Sequence, residues 1–337
     1  MGKRMDGICT LANDRVLDQT IALLNSIEAT MGPEFPVCIF PYDDRCDRLA
    51  EVIQARPQVQ IFRDRAVLAY WDHWARAMWD ACPQAKQRWQ EITTDPYYRF
   101  GTHRRLAAFY GPFDRFLYMD ADTLLLQDVR PLFQQLTTHD WIVYDFQHRD
   151  LSHVYNHRSS KLSQVFANDR LAREIFCSGF YAAKRDTFSE TQLQELLTHL
   201  QSGESEILYC MAPDQTLLNY WVMRSNLSVY NLALELPLEA QTGCCVTSDH
   251  FVYRDRQLYD HEVPLTYLHY IGLSSSLFQR LCAGENLALP YRDIFLQYRY
   301  WHDPSQQPRF VGKPRSGDRP PLADRILKKL CRTPIGR

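Results

Sequence analysis

The sequence predicts an α/β fold with a mostly parallel central sheet flanked by helices. Three observations carry that prediction. Short apolar runs alternate with helical-period segments, Gly, Pro and Asp punctuate the joins, and a hydrophobic strand ends on a pair of carboxylates.

Residues 7–11 form the first expected strand. Asn13 or Asp14 can cap the helix that follows, whose apolar positions Val16, Leu17, Ile21, Leu24 and Ile27 keep helical spacing up to Gly32-Pro33. Residues 36–40 read as a second strand, 45–55 as a helix and 59–62 as a third strand. The next stretch is aromatic-rich and holds Trp71, Trp74, Trp79 and Trp89, four of the seven tryptophans. Trp71, Trp74 and Met78 share one helical face, so 66–100 is read as a helical insertion packed on the sheet, in preference to a lid over an acceptor. A helix over 102–110 and a turn at Gly111-Pro112 lead to a strand over 115–119, which runs into Asp120-Ala121-Asp122 and Leu124-Leu125-Leu126. Further strands are expected over 141–146, 176–183 and 267–271, and helices over 189–200 and 214–223. After Trp301 prolines and basic residues dominate. The main domain is therefore placed at 1–301, followed by a Pro-rich basic linker and tail at 302–337 with a short helix over 322–331.

The chain has 337 residues, 45% of them hydrophobic, enough to fill a substantial core. Its net charge of −2 hides an asymmetry: 309–337 carries +7 and the body −9. That balance argues against a nucleic-acid partner. No run reaches the roughly 20 apolar residues of a membrane span, and charges interrupt the N-terminal apolar segment. The expectation is thus a cytoplasmic protein, with the tail as a candidate peripheral contact at the inner membrane face. There Ile326, Leu327 and Leu330 would meet lipid and Arg325, Lys328 and Lys329 anionic headgroups. Ten dispersed cysteines without CxxC or zinc-finger spacing read as reduced thiols. The first strand is followed by Leu11-Ala12-Asn13-Asp14, so no glycine-rich nucleotide loop is present there.

The strongest chemical signal is Asp120-Ala121-Asp122. Two carboxylates at i and i+2 of an extended segment point to one side, roughly 7 Å apart at the backbone, and can share a hard cation. Such an ion leaves positions for diphosphate oxygens and stabilises charge on a departing diphosphate. The carboxyl edge of an open α/β sheet is also where ligands bind.

This segment resembles the DxD core of GT-A glycosyltransferases, most closely the glycogenin-like retaining enzymes of glycosyltransferase family 8. The resemblance runs over residues 7–280 in motif order. It implies that Thr10, Leu11 and Ala12 hold the uracil and ribose, and that Arg104, sixteen residues before Asp120, meets the nucleotide sugar. It further implies that Asp120, Ala121 and Asp122 bind ribose and metal. Cys177-Ser178-Gly179 is similar to the family's Asn-(Ser/Ala)-Gly wall, with Cys177 replacing the Asn. Asp214-Gln215-Thr216-Leu217-Leu218-Asn219 resembles DQxxLN. Leu268-His269-Tyr270-Ile271-Gly272 resembles HFxG, whose His is the third metal ligand. The implied activity is transfer from a nucleoside diphosphate sugar, a UDP-sugar first, to a glycan, lipid-linked or small-molecule hydroxyl, with retention. The implied cofactor is Mn2+ or Mg2+. By this resemblance Asp214, Gln215 and Arg104 are the catalytic candidates, Ser178, Gly179 and Gly272 line the donor, and Asp120, Asp122 and His269 hold the ion. The family's Lys after HFxG is missing, since Leu273-Ser274-Ser275-Ser276 stands there; Arg280 is a candidate substitute.

Each residue also has a plainer reading. His269 could be a core histidine, Asp214 a helix cap, Arg104 and Arg105 a solvated helix face. Two other functions fit parts of the pattern. Asp120-Ala121-Asp122-Thr123 matches the DxDxT of haloacid-dehalogenase-like phosphatases, and the missing Lys and Asn suit a GT-A protein that binds nucleotide sugar or glycan without transfer.

Overall fold

The computed structural model describes residues 4–316. Its strands are β1 (Asp6–Ala12), β2 (Val37–Pro41), β3 (Val59–Ile61), β4 (Arg115–Met119), β5 (Thr123–Leu125), β6 (Trp141–Val143), β7 (Phe180–Lys184), β8 (Val229–Asn231), β9 (Val252–Arg254), β10 (Gln257–Asp260), β11 (Val263–Pro264) and β12 (Tyr267–His269). A pair of two-residue strands, Leu287–Ala288 and Arg315–Ser316, follows. Seven strands form the main sheet in the order β3-β2-β1-β4-β7-β6-β8. β7 is antiparallel to both its neighbours, and every other pairing is parallel. This is the mostly parallel α/β sheet expected from the alternation of elements.

β1 is an apolar run because both its faces are covered. Ile8 and Ala12 join the layer under helix Leu17–Met31, while Cys9 and Leu11 join the aromatic layer on the other face. Asn13 caps a 3₁₀ turn that leads into that helix, its side chain accepting from Arg15 N, and the helix stops at Gly32, whose φ is +98°. β1 pairs with β2 on one side and β4 on the other. The crevice at their carboxyl ends is therefore a topological switch point.

The aromatic insertion forms helices Arg65–Asp80 and Pro83–Gln90, and all four of its tryptophans are buried. Trp79 Nε1 donates to His103 Nε2 at 2.9 Å, and Trp89 Nε1 to the Cys210 carbonyl at 2.9 Å. The two rings meet edge-on at 4.9 Å. The insertion thus packs as core and ties together helix Phe100–Tyr110, which is of 3₁₀ type, and the approach to helix Pro213–Arg224.

Several strands are shorter than the apolar runs suggested. Phe176 lies ahead of β7, where the Asn219 side chain takes the place of a strand partner, accepting from Phe176 N at 3.0 Å and donating to its carbonyl at 2.9 Å. Residues 144–146 leave the ladder after β6, and the run at 267–271 pairs only as far as His269. The chain after Trp301 returns so that Arg315–Ser316 pairs with Leu287–Ala288. The expected helix at 322–331 and the membrane contact expected of residues 325–330 lie outside the described residues. Among the described residues every cysteine is free, and no helix is long and apolar enough to cross a membrane.

Candidate functional site

Beneath the carboxylate turn the core holds an aromatic ladder. Tyr118 on β4 stacks on Tyr181 on β7 at 5.1 Å, and Tyr181 on Trp141 of β6 at 4.5 Å. Arg105, from helix Phe100–Tyr110, lies over the Tyr118 ring at 4.7 Å. Its buried guanidinium reaches Asp120 Oδ1 and Asp214 Oδ2, both at 3.0 Å. It also donates to the Ser178 carbonyl at 2.8 Å, to Ser178 Oγ at 3.0 Å and to the Thr102 carbonyl at 3.1 Å. One planar cation therefore joins segments from four parts of the chain.

Asp120 and Asp122 do not lie on an extended segment. β4 ends at Met119, and Asp120-Ala121-Asp122 forms a tight turn into β5, with Thr123 N donating to the Asp120 carbonyl at 3.1 Å. β12 pairs with β5 so that His269 sits opposite Thr123. The turn and this register bring His269 Nε2 to 3.4 Å from Asp122 Oδ1 and 4.0 Å from Asp120 Oδ2. The three ligand atoms lie within 4.8 Å of one another.

Two carboxylate oxygens from the turn and one buried imidazole from the end of β12 fit a divalent ion between hard and borderline in character, manganese better than calcium. The backbone supports the fit. A Cβ on Gly179 would fall 2.5 Å from His269 Cε1 and 3.0 Å from Asp120 Oδ2, so only glycine lets β7 start against these two side chains. Gly179→Ala is expected to displace the imidazole, to weaken about 10–100-fold any Mn2+ binding that uses His269, and to lower stability by about 1–3 kcal/mol. Mn2+ titration together with thermal unfolding checks both.

The charges in the cluster are interlocked. Burial raises the Asp120 carboxyl, and Arg105 opposes it. Burial would raise Asp122 too, but His269 pulls it below the usual range. Burial would lower His269, but Asp122 and the Cys177 thiol hold it well above the ordinary imidazole value. Burial would raise Asp214, yet Arg105 and then Arg99 bring it down to about 2. Asp145, buried two residues after β6, is pushed by desolvation up to about 7 and accepts from Cys177 N at 3.1 Å. His103 is held neutral by burial, its pKa lowered to about 4.

The other residues singled out from the sequence distribute as follows. Thr10, Leu11 and Ala12 are buried at the carboxyl end of β1, beside Ile39–Pro41 of β2. Ser178 Oγ donates to Asp214 Oδ2 at 3.3 Å. Gln215 Oε1 accepts from Ser178 N at 3.2 Å, and its Nε2 donates to the His153 carbonyl at 3.2 Å. Asp214 is not the helix cap: with Pro213 in the first turn the cap position falls on Ala212, and the Asp214 carboxylate faces Arg105. Gly272 turns the chain after His269 with φ +75°. Arg104 points away from the carboxylates, donating to the Pro41 carbonyl at 3.4 Å, with Asp72 Oδ2 at 3.8 Å. Arg280 pairs with Glu285 at 2.8 Å, and Ser274 caps helix Ser275–Cys282 where the Lys was expected.

Sequence reasoning passed over Arg105 as a ligand-organising residue, and Arg99 altogether. Arg99 is exposed just ahead of helix Phe100–Tyr110 with φ +51°, and its charge is felt at both Asp122 and Asp214. The signal was available in part: two adjacent arginines sixteen and fifteen positions before a DxD leave open which one faces the strand.

An open, mostly parallel sheet with an acidic turn at its central carboxyl edge defines the GT-A class of fold. No protein-family model matches the sequence, and no curated protein matches it either. Among solved structures, the apo WbbM bifunctional glycosyltransferase superposes with a TM-score of 0.52 at 15% identity, over 91% of this chain and 52% of that one. This chain thus spans about half the length of WbbM, and the likeness establishes a shared fold. The galactosyltransferase LgtC with donor and acceptor sugar analogues aligns at TM-score 0.49 and 14% identity, over 86% of this chain and all of that one. Mouse xyloside xylosyltransferase 1 aligns at 0.46 and 12%, over 68% of this chain and 85% of that one.

Proposed function

We propose that the chain is a metal-dependent glycosyltransferase of the glycogenin-like kind. It would move a sugar from a nucleoside diphosphate donor, a UDP-sugar first, to a hydroxyl of a glycan, lipid-linked or small-molecule acceptor, with retention. The supporting observation is the convergence of Asp120, Asp122 and His269 at the switch point between β1 and β4. An Mn2+ or Mg2+ ion held by these three would supply Lewis-acid stabilisation of the leaving diphosphate.

The chain's own residues supply the rest. Thr10, Leu11 and Ala12 offer a wall for the nucleoside at the end of β1. Arg105 offsets the charge of Asp120 and Asp214 and fixes their orientation. Asp214, ionised throughout the neutral range and already bonded to Arg105 and Ser178, accepts hydrogen bonds from sugar hydroxyls and does not carry a proton. Both ends of Gln215 are engaged by protein groups. Neither side chain is therefore poised as an attacking nucleophile, so the retention implied by the family resemblance would proceed by front-face delivery of the acceptor and not through a covalent glycosyl–enzyme intermediate. Asp120 Oδ1 accepts from Arg105 and from Tyr118 OH, each at 3.0 Å; this loading disfavours a phosphatase-like nucleophilic role for it.

With Leu273 to Ser276 in place of the expected Lys, Arg99 is the guanidinium assigned to the diphosphate, and Arg104 lies further along the nucleotide wall. Arg99→Ala is expected to raise the donor KM about tenfold with little change in Tm, since the side chain is exposed. The function itself is tested by incubating the protein and Mn2+ with a panel of nucleoside diphosphate sugars and measuring nucleotide release. Nucleotide binding without release or transfer from any donor would instead support a binding-only role.

A further inference from the structure

A second set of metal-ligating side chains converges away from the carboxylate crevice, where β10 turns into β11. His250 Nε2 lies 3.0 Å and His261 Nε2 3.6 Å from the same oxygen, Asp260 Oδ1. All three ligand atoms fall within 4.8 Å of one another. Tetrahedral zinc with bonds near 2.0–2.2 Å needs donors roughly 3.3 Å apart, so the cluster is close to that spacing before any side chain moves.

The surroundings suit a binding role. The Asp260 side chain is only 11% exposed, while His250 and His261 are 47% and 88% exposed. A fixed carboxylate thus faces two imidazoles that solvent can reach and that can adjust. Asp260 Oδ2 accepts from Gly243 N at 2.7 Å, which sets the carboxylate's orientation and leaves Oδ1 to the histidines. Asp260 is held in the β10–β11 ladder opposite Val263, and His261 follows with φ +52°. The imidazole rings lie 5.7 Å apart, inclined by 31°.

We propose that His250, Asp260 and His261 form a second divalent-cation site, distinct from the one at Asp120 and Asp122, with zinc as its ion. Two imidazoles and one carboxylate select borderline transition metals over magnesium or calcium, and three protein ligands leave a position for water. The site reaches the first one through the backbone. Gly243, held by Asp260, leads into Cys244 and Val246, which bond the His269 backbone at 2.7 and 3.0 Å. Zinc would therefore anchor the segment that lies alongside β12. The proposal does not depend on the glycosyltransferase reading.

The test uses tag-free full-length protein and zinc chloride, with calorimetric titration and zinc content after dialysis as readouts. The variant is His250→Ala with His261→Asn, asparagine being chosen because it tolerates positive φ. Wild-type protein is expected to bind one more zinc per chain than this variant, and zinc is expected to raise the Tm of the wild type by more than that of the variant. In an Asp120→Asn, Asp122→Asn background one zinc should remain, and the two histidine changes should remove it or weaken it at least tenfold. Circular dichroism in chelator confirms that each protein is folded. Equal zinc stoichiometry and affinity with and without the two histidines, or no zinc bound by the folded Asp120→Asn, Asp122→Asn protein, would overturn the site.

Discussion

Replacing Arg105 with methionine is expected to destabilise the protein by about 3–5 kcal/mol. The change removes the only guanidinium that touches both Asp120 and Asp214 among the described residues, leaving the buried Asp214 and the partly buried Asp120 carboxylates without it. It also frees the Ser178 and Thr102 carbonyls that Arg105 satisfies. The neighbouring Arg104→Met is the internal control. Its contacts at 3.4 and 3.8 Å are long and its side chain partly exposed, so its loss should cost about 1 kcal/mol or less. Urea unfolding midpoints of the two variants separate these outcomes, and equal midpoints would remove Arg105 from its assigned place. The pH dependence has a definite sign for Asp214. Its folded pKa of about 2 lies below the roughly 3.9 of an unfolded aspartate. Its contribution is therefore full above about pH 4 and fades as the pH falls towards 2. Without Arg105 that acid-side loss should shrink.

Asp122→Asn is expected to lower donor turnover about 10³-fold and to abolish Mn2+ binding at the first site. The amide keeps the shape of the side chain but loses the charge that faces His269 at 3.4 Å. The variant should stay folded, because Asp122 is partly exposed on the turn and its removal leaves the Arg105 network intact. Mn2+ calorimetry and nucleotide release from the donor are the two measurements. A folded Asp122→Asn protein that turns over donor at the wild-type rate in Mn2+ would end the metal-dependent reading, whatever the status of the zinc site.

Much of the architecture was legible because buried parallel strands leave apolar runs between Gly and Pro, as in β1, β2 and β4. The ends of β6 and β7 were not. Residues 144–146 and 176–179 continue the runs of β6 and β7 in sequence, but side-chain amides stand where a strand partner would, Asn231 bonding both backbone groups of Asp145 and Asn219 those of Phe176. The spacing of Asp120 and Asp122 is compatible with both a strand and a turn, and the bond from Thr123 N to the Asp120 carbonyl, which no sequence pattern announces, decides for the turn. Asp214 read equally as cap and site because a carboxylate after proline suits both; the helix start, which puts the cap two residues earlier at Ala212, distinguishes them. His250, Asp260 and His261 carry no motif at all, since their convergence depends on a hairpin whose strands are largely exposed or intermediate in burial.

The register of β12 against β5 has an energetic meaning of its own. Asp122 and His269 are separated by roughly 150 positions, and bringing such a pair together costs about 4 kcal/mol of chain entropy beyond a constant. Here backbone ladder bonds and the stacking of Tyr267 on Phe180 at 3.9 Å meet that cost. A cation arriving at the turn would find the long loop already closed. Its binding free energy would then go to ligation and not to folding the chain, so affinity there reports ionic radius and donor chemistry.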